Sequence, residues 1–377
     1  MINFNLKIIP RTLLSFLIFF AFNLQSEDQS DADSFFEREA PVYPTPDNLI
    51  GWIDSRQILN LNGEWSYIVD PMNNGLPESS FFGGFPKNKT QKTGMELIEY
   101  NFETAAKIQI PGAWNAADEK LFFYRGPVWL YKKFRYSPKK ESLTHLYIEG
   151  SNFTTKIFIN GSIVGKFEGG YVPFNFEISE YLKDGDNILL VQTDNALNES
   201  SVPTQKTDWW PWGGIVGDVY IVETPKQFIR NAYLQLNPEN FSQAHFNLEM
   251  NDRFAGQEIH LEIPELQFSN KFITNSSGAI TENIKITPQL WSPSNPKLYE
   301  VIISSNNESI KDEIGFRSIK TQGKKIYLNN SEIRFKGIAM HSEPIGIDGP
   351  AFSQEHFKEL LSTAKELNIN FVRAAHY

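Results

Sequence analysis

Cysteine is absent from the 377 residues. The chain therefore has no disulfide framework, no thiolate metal site and no thiol nucleophile. Positive charge is scarce as well: 35 Lys and Arg stand against 45 Asp and Glu, for a net charge of −10 and a pI near 5.3. That balance argues against nucleic acid or an anionic membrane as the main partner. No phosphate-cradling Gly-rich loop, no H-E-x-x-H and no G-x-S-x-G pattern occurs. Apolar residues at 41% and charged residues at 21% exclude a long disordered chain or a coiled coil. At roughly 150 residues per domain the length suits two or three domains. What the chain has in surplus is aromatic residues, 30 Phe, 14 Tyr and 8 Trp. Such a surplus suits dense β cores or stacking surfaces for sugars.

The first 26 residues read as a targeting segment. Lys7 and Arg11 form a basic start, no acidic residue precedes Glu27, and Leu13 to Leu24 is almost wholly apolar. About a dozen apolar residues suit a secretory signal better than a membrane span. The protein is therefore expected to be exported, periplasmic or secreted, with no membrane partner once the signal is removed. A retained anchor is the alternative. With no Cys to follow, a lipoprotein anchor is excluded.

From 27 to 225 short apolar runs alternate with turn signals. Lys156-Ile-Phe-Ile159 leads into Asn160-Gly161 and then Ile163-Val164, the strongest short-range hairpin pattern. Lys183-Asp-Gly-Asp-Asn187 turns into Ile188-Leu-Leu-Val191. These features predict a mainly β jelly-roll or sandwich. From 226 to 317 Phe246, Leu248 and Met250 alternate with polar residues, as do Ile259, Leu261 and Ile263, and later Ile284 and Ile286. Strands at this spacing predict an immunoglobulin-like β-sandwich, with Pro225 and Pro264 at boundaries or edges. From 318 the pattern changes. An apolar run, Arg334 to Ala339, precedes a helix capped by Ser353. Its apolar face is Phe357, Leu360, Leu361, Ala364 and Leu367, and Asn368 can close it. Ile369 to Val372 follows as a second strand. This is one β-α-β unit, which cannot bury its own apolar faces, so the chain is expected to be a fragment or a gene model that ends early.

Three clusters could carry chemistry. Asp208-Trp-Trp-Pro-Trp212 concentrates three of the eight Trp. Indole faces stack on the C–H faces of pyranose rings, and a nearby carboxylate accepts hydrogen bonds from sugar hydroxyls. The alternative is that the indoles are core and Asp208 caps a turn. His341-Ser-Glu343 follows the first strand of the β-α-β unit, and Arg373-Ala-Ala-His376 ends the second. Ligands of parallel α/β folds sit at the carboxyl ends of strands. His145, His245, His260 and His356 fall in strand or helix patterns and read as surface or core.

In this order the clusters resemble the amino-terminal portion of glycoside hydrolase family 2, the β-galactosidases, β-glucuronidases and β-mannosidases. The matching segments are Leu61-Asn-Gly-Glu-Trp65, Ile110-Pro-Gly-Ala-Trp-Asn115, Tyr124-Arg-Gly-Pro-Val-Trp129 with Phe134, and Asn160-Gly161 with Gly169-Gly-Tyr-Val-Pro-Phe174. They continue with Leu290-Trp-Ser-Pro-Ser-Asn-Pro296, Leu298-Tyr299 and Gly315-Phe-Arg317, then Lys336-Gly337 to His341, and Asn370 to Tyr377. The resemblance implies a sugar-binding jelly roll, an immunoglobulin-like sandwich and the start of a (β/α)8 TIM barrel. It implies hydrolysis of terminal β-glycosidic bonds with retention, in carbohydrate metabolism, on an oligosaccharide or glycoconjugate substrate. It also implies substrate-binding roles for Asp208, His341, Arg373 and His376. The family often carries Arg after the Gly-Ile pair, where this chain has Gly217. It often carries Glu directly after the first-strand His, where Ser342 intervenes before Glu343.

The resemblance places the two catalytic Glu residues, an acid/base and a nucleophile, after later barrel strands beyond Tyr377. Glu343 and Asp348 match neither role. The truncated chain alone is thus expected to be inactive. The residues present require no cofactor. The resemblance allows Mg²⁺ or Na⁺ in the complete enzyme, and leaves room for an oligomer. The alternative reading is a non-catalytic carbohydrate-binding fragment.

Overall fold

The computed structural model describes residues 41–78, 84–87, 101–344, 346, 349–350 and 353–376. The expected targeting segment, residues 1–26, lies outside the described residues, as do Asp348 and Tyr377.

The first unit is a jelly-roll sandwich. Its larger sheet has six strands in the order Ala106–Ile110, Gly63–Val69, Pro127–Tyr136, Gly185–Asp194, Thr154–Ile159, Ser162–Glu168. Its smaller sheet orders Gln57–Asn60, Val219–Pro225, Ser142–Ile148 and Phe174–Glu177. Leu130, Leu146, Ile148, Ile157, Val191 and Ile221 fill the space between them. The outer face of the six-stranded sheet is buried too. Trp129, Phe158 and Leu190 pack there under Leu76 and Phe85. The Trp129 indole donates to buried Asp70 at 2.9 Å, which satisfies a carboxylate that would otherwise be costly to bury. The expected hairpin forms between Thr154–Ile159 and Ser162–Glu168, with Asn160 and Gly161 both at positive φ (51° and 86°). That is the backbone a two-residue turn needs to match strand twist.

The second unit packs a three-stranded sheet (Ile229–Leu236, Gln243–Met250, Ala279–Lys285) on a four-stranded one (Phe268–Ile273, Glu258–Ile263, Tyr299–Ser304, Ser309–Ile314). Alternation reads out directly: Ala244, Phe246, Leu248 and Met250 are buried, and so are Ile259, Leu261 and Ile263. Arg56 of the jelly roll reaches this unit. It donates to the Ile229 carbonyl at 2.8 Å and faces Glu308 at 3.6 Å, with both side chains almost fully buried. Burial pushes the Glu308 carboxyl up and the Arg56 guanidinium down, each opposed by the partner's charge.

A small antiparallel sheet follows, Ile319–Gln322, Lys325–Leu328 and Ser331–Ile333. The sequence pattern did not announce it, because its strands are only three or four residues long and mostly exposed. Beyond it, Gly337–His341 pairs in parallel with Phe371–Ala375, and the helix Gln354–Glu366 connects them. The Ser353 side chain accepts from the His356 N–H at the helix start, and Asn368 takes φ 55° just past its end. Of the predicted apolar face only Ala364 is buried, while Phe357, Leu361 and Leu367 are exposed. The described residues supply no further barrel layer for them to pack against.

Candidate functional site

Register places two histidines side by side. In the parallel pair His341 stands opposite Ala375, so His376 is the next residue beyond the sheet. Their rings meet edge to face with centroids 4.9 Å apart. Arg373 lies three residues earlier on the same strand, opposite Ala339, and is exposed. Among the described residues it makes no hydrogen bond or ion pair.

The Trp-rich segment comes from the jelly roll. It runs into Gly214–Ile215, the middle strand of a three-stranded patch between Gly112–Ala113 and Ser151–Asn152. Three buried asparagines fasten it there. Asn195 Nδ2 donates to the Pro211 carbonyl at 2.8 Å, and Asn152 Nδ2 to the Trp212 carbonyl at 2.9 Å. Asn115 Oδ1 accepts from the Gly213 N–H at 2.9 Å. Asn115 also donates to carbonyls of Leu121, Phe122 and Tyr124. Backbone groups that leave the sheet ladder are thus paired with side chains instead of water. Gly213 is required by space alone: a Cβ there would meet Trp114 Cζ2 at 2.1 Å and Asn195 Nδ2 at 2.6 Å.

So held, the segment crosses to the strand ends. The Trp209 indole stacks on His376, centroids 4.9 Å apart and planes 12° apart. Tyr171 flanks Trp209 at 6.3 Å, and its hydroxyl donates to the Trp212 carbonyl at 3.0 Å. The Trp212 indole N–H donates to Glu343 Oε1 at 2.9 Å. Trp210 packs on Phe122, centroids 4.6 Å apart. The three indoles therefore do three jobs: Trp209 orders a barrel histidine, Trp212 is buried and bonded, and Trp210 joins an aromatic cluster. Asp208 precedes Trp209 directly. Its carboxylate is exposed and accepts no hydrogen bond among the described residues.

The Trp209–His376 stack and the His341–His376 contact link the segment that begins at Asp208 to the two strand ends, with Arg373 further down its strand. The sequence marks Trp209 and Trp212 as parts of an aromatic cluster but not their individual contacts, and it gives Glu343 no role. The three asparagines were visible only as parts of segments, since nothing local marks a buried amide as a clamp. Gly217 also has a local reason. A Cβ there would meet Glu149 Cβ at 2.6 Å and Gly150 N at 2.7 Å, so this backbone has no room for an Arg. Among the described residues no group of three or more His, Asp or Glu could hold a metal ion. Nor is any helix among them long and apolar enough to cross a membrane.

Comparison with known proteins fits this architecture. The glycosyl hydrolases family 2 sugar binding domain model matches residues 58–225. The glycosyl hydrolases family 2 model matches 227–317, and that family's TIM barrel domain model matches 319–377. A beta-galactosidase of Thermoanaerobacter pseudethanolicus is 26% identical over 349 residues, covering 85% of this chain and 44% of the relative. Among solved structures, a beta-glucuronidase of an uncultured Clostridium sp. aligns with TM-score 0.72 at 21% identity, over 88% of this chain and 57% of that one. A Bifidobacterium dentium beta-glucuronidase complexed with coumarin-3-O-glucuronide aligns with TM-score 0.73 at 16% identity, over 89% and 59%. The chain spans less than half the length of the curated relatives it matches. With consecutive family models covering the jelly roll, the second sandwich and the parallel pair, this chain belongs to glycosyl hydrolase family 2.

Proposed function

We propose that the protein carrying this chain is an exported retaining β-glycosidase of the β-galactosidase or β-glucuronidase type, acting on terminal sugars of oligosaccharides or glycoconjugates. The observation that carries the reading is the stack of jelly-roll Trp209 on barrel His376, which sets the Asp208 segment beside the strand ends. Asp208 accepts hydrogen bonds from hydroxyls of the terminal sugar. His341 and His376 bond the same ring from the strand ends, and Arg373 offsets negative charge. Bond cleavage needs a proton donor to the leaving oxygen and a carboxylate nucleophile, two carboxyls roughly 5 Å apart in a retaining enzyme. We assign both to Glu residues of later barrel strands, outside this chain. Glu343 is engaged by Trp212 and fills neither role. Export rests on the basic and apolar character of the first 26 residues.

The test uses aryl β-galactoside and β-glucuronide with two proteins, the full-length gene product and residues 27–377. The full-length protein should release aryl product, with the β-anomer of the sugar appearing first by ¹H NMR. Residues 27–377 should release none. Binding of glycans by the full-length protein without turnover of any β-glycoside would favour a carbohydrate-binding role instead.

A further inference from the structure

Glu343 has no place in the sugar-site reading, yet it accepts a hydrogen bond from Trp212 that joins the first barrel loop to the Trp-rich segment. Trp212 is 5% exposed, so its indole N–H needs an acceptor within the protein. From the jelly roll, residues 211–213 are held by Asn115, Asn152, Tyr171 and Asn195 and by the Trp114 N–H, which donates to the Gly213 carbonyl. Glu343 reaches them from the barrel side, two residues beyond His341. A carboxylate accepting from an N–H makes a stronger bond than a neutral acceptor. Its effect is to tie the segment that carries Asp208 to the loop that carries His341.

We propose that Glu343 is a positioning residue, which acts through Trp212 to fix the Asp208 segment against the barrel rather than by touching the substrate. This rests on the sugar-site reading for its effect on catalysis, but not for its effect on the segment itself.

The experiment compares Glu343→Ala, Glu343→Gln, Trp212→Phe and the Glu343→Ala/Trp212→Phe double variant in the full-length protein. The first readout is tryptic cleavage after Lys206, an exposed residue just ahead of the segment. Glu343→Ala and Trp212→Phe should each speed that cleavage roughly tenfold, the scale expected for losing a charge-assisted bond. Glu343→Gln keeps a carbonyl acceptor for the indole and should stay within about twofold of the parent. The double variant should be no worse than either single one, since both remove the same contact. The second readout is kcat/KM on aryl β-glycosides, which should fall in the same order. Unchanged cleavage after Lys206 in Glu343→Ala would overturn the proposal. So would a kcat/KM loss in Glu343→Gln equal to that in Glu343→Ala, with Trp212→Phe near the parent, because it would show a charge acting on substrate. Should the parent protein hydrolyse no glycoside, the sugar-site reading fails, and the cleavage readout alone decides the positioning role.

Discussion

The Trp209 indole lies almost parallel to the His376 imidazole, 12° between planes and 4.9 Å between centroids. One ring belongs to the jelly roll and the other to the end of the second barrel strand. Tyr171 backs Trp209 on the jelly-roll side, and His341 meets His376 edge to face. The four rings form a continuous line from one domain into the other, so the orientation of His376 depends on a residue far away in sequence.

Trp209→Ala should therefore lower kcat/KM of the full-length enzyme, by about 0.5–1.5 kcal/mol equivalent for the lost ring pair. Trp209→Phe, which keeps a flat ring, should recover most of it. Steady-state kinetics on an aryl β-glycoside check this, and equal values for the Ala variant and the parent would remove Trp209 from the account.

Gly213→Ala should be strongly destabilising, because its methyl would enter the space of the Trp114 ring and the Asn195 amide. Asn195→Ala should cost about 1–3 kcal/mol by stranding the Pro211 carbonyl and the Gly126 N–H, both bonded to it now. Urea denaturation followed by tryptophan fluorescence measures both. A midpoint for Asn195→Ala equal to the parent's would show that the clamp contributes nothing.

Much of this fold is legible in the residues. The Asn160-Gly161 hairpin, the period-2 burial of Ala244 to Met250 and the Ser353 cap are local rules acting locally. Strand-end placement of His341 and His376 follows from the β-α-β pattern. What the sequence hides is long-range. Nothing near Trp212 names Glu343 as its acceptor, and nothing near Asn115 says that it will hold Gly213. The first pair is set when two domains dock and the second when distant loops of one domain meet, and the periodicity of neither partner records them.

Acid should unfold the jelly roll partly through His145. Burial, aided by the charges of Arg56 and Arg230, pushes this histidine down to about 4. Its Nε2 meets the Thr224 hydroxyl at 3.1 Å, inside the core. Below pH 6.5, the ordinary value, the unfolded chain takes up a proton that the native state refuses. Stability from the neutral ring is complete above about pH 6.5 and is lost as pH falls toward 4, on the order of 3 kcal/mol in total. His145→Leu should flatten that limb relative to the parent between pH 7 and 4.5 in urea titrations. Parallel pH profiles for the two proteins would reject the assignment.

We propose that one terminal sugar is gripped from both domains, by Asp208 of the jelly roll and His376 of the barrel. The most direct measurement is kcat/KM of the full-length enzyme on aryl β-galactoside and β-glucuronide, for the parent, Asp208→Ala and His376→Ala. At least one substrate should be turned over by the parent. Each variant should lose about 1–3 kcal/mol equivalent or more on that substrate, the cost of leaving a sugar hydroxyl or its partner unpaired. Turnover by the parent with undiminished kcat/KM in both variants would contradict it.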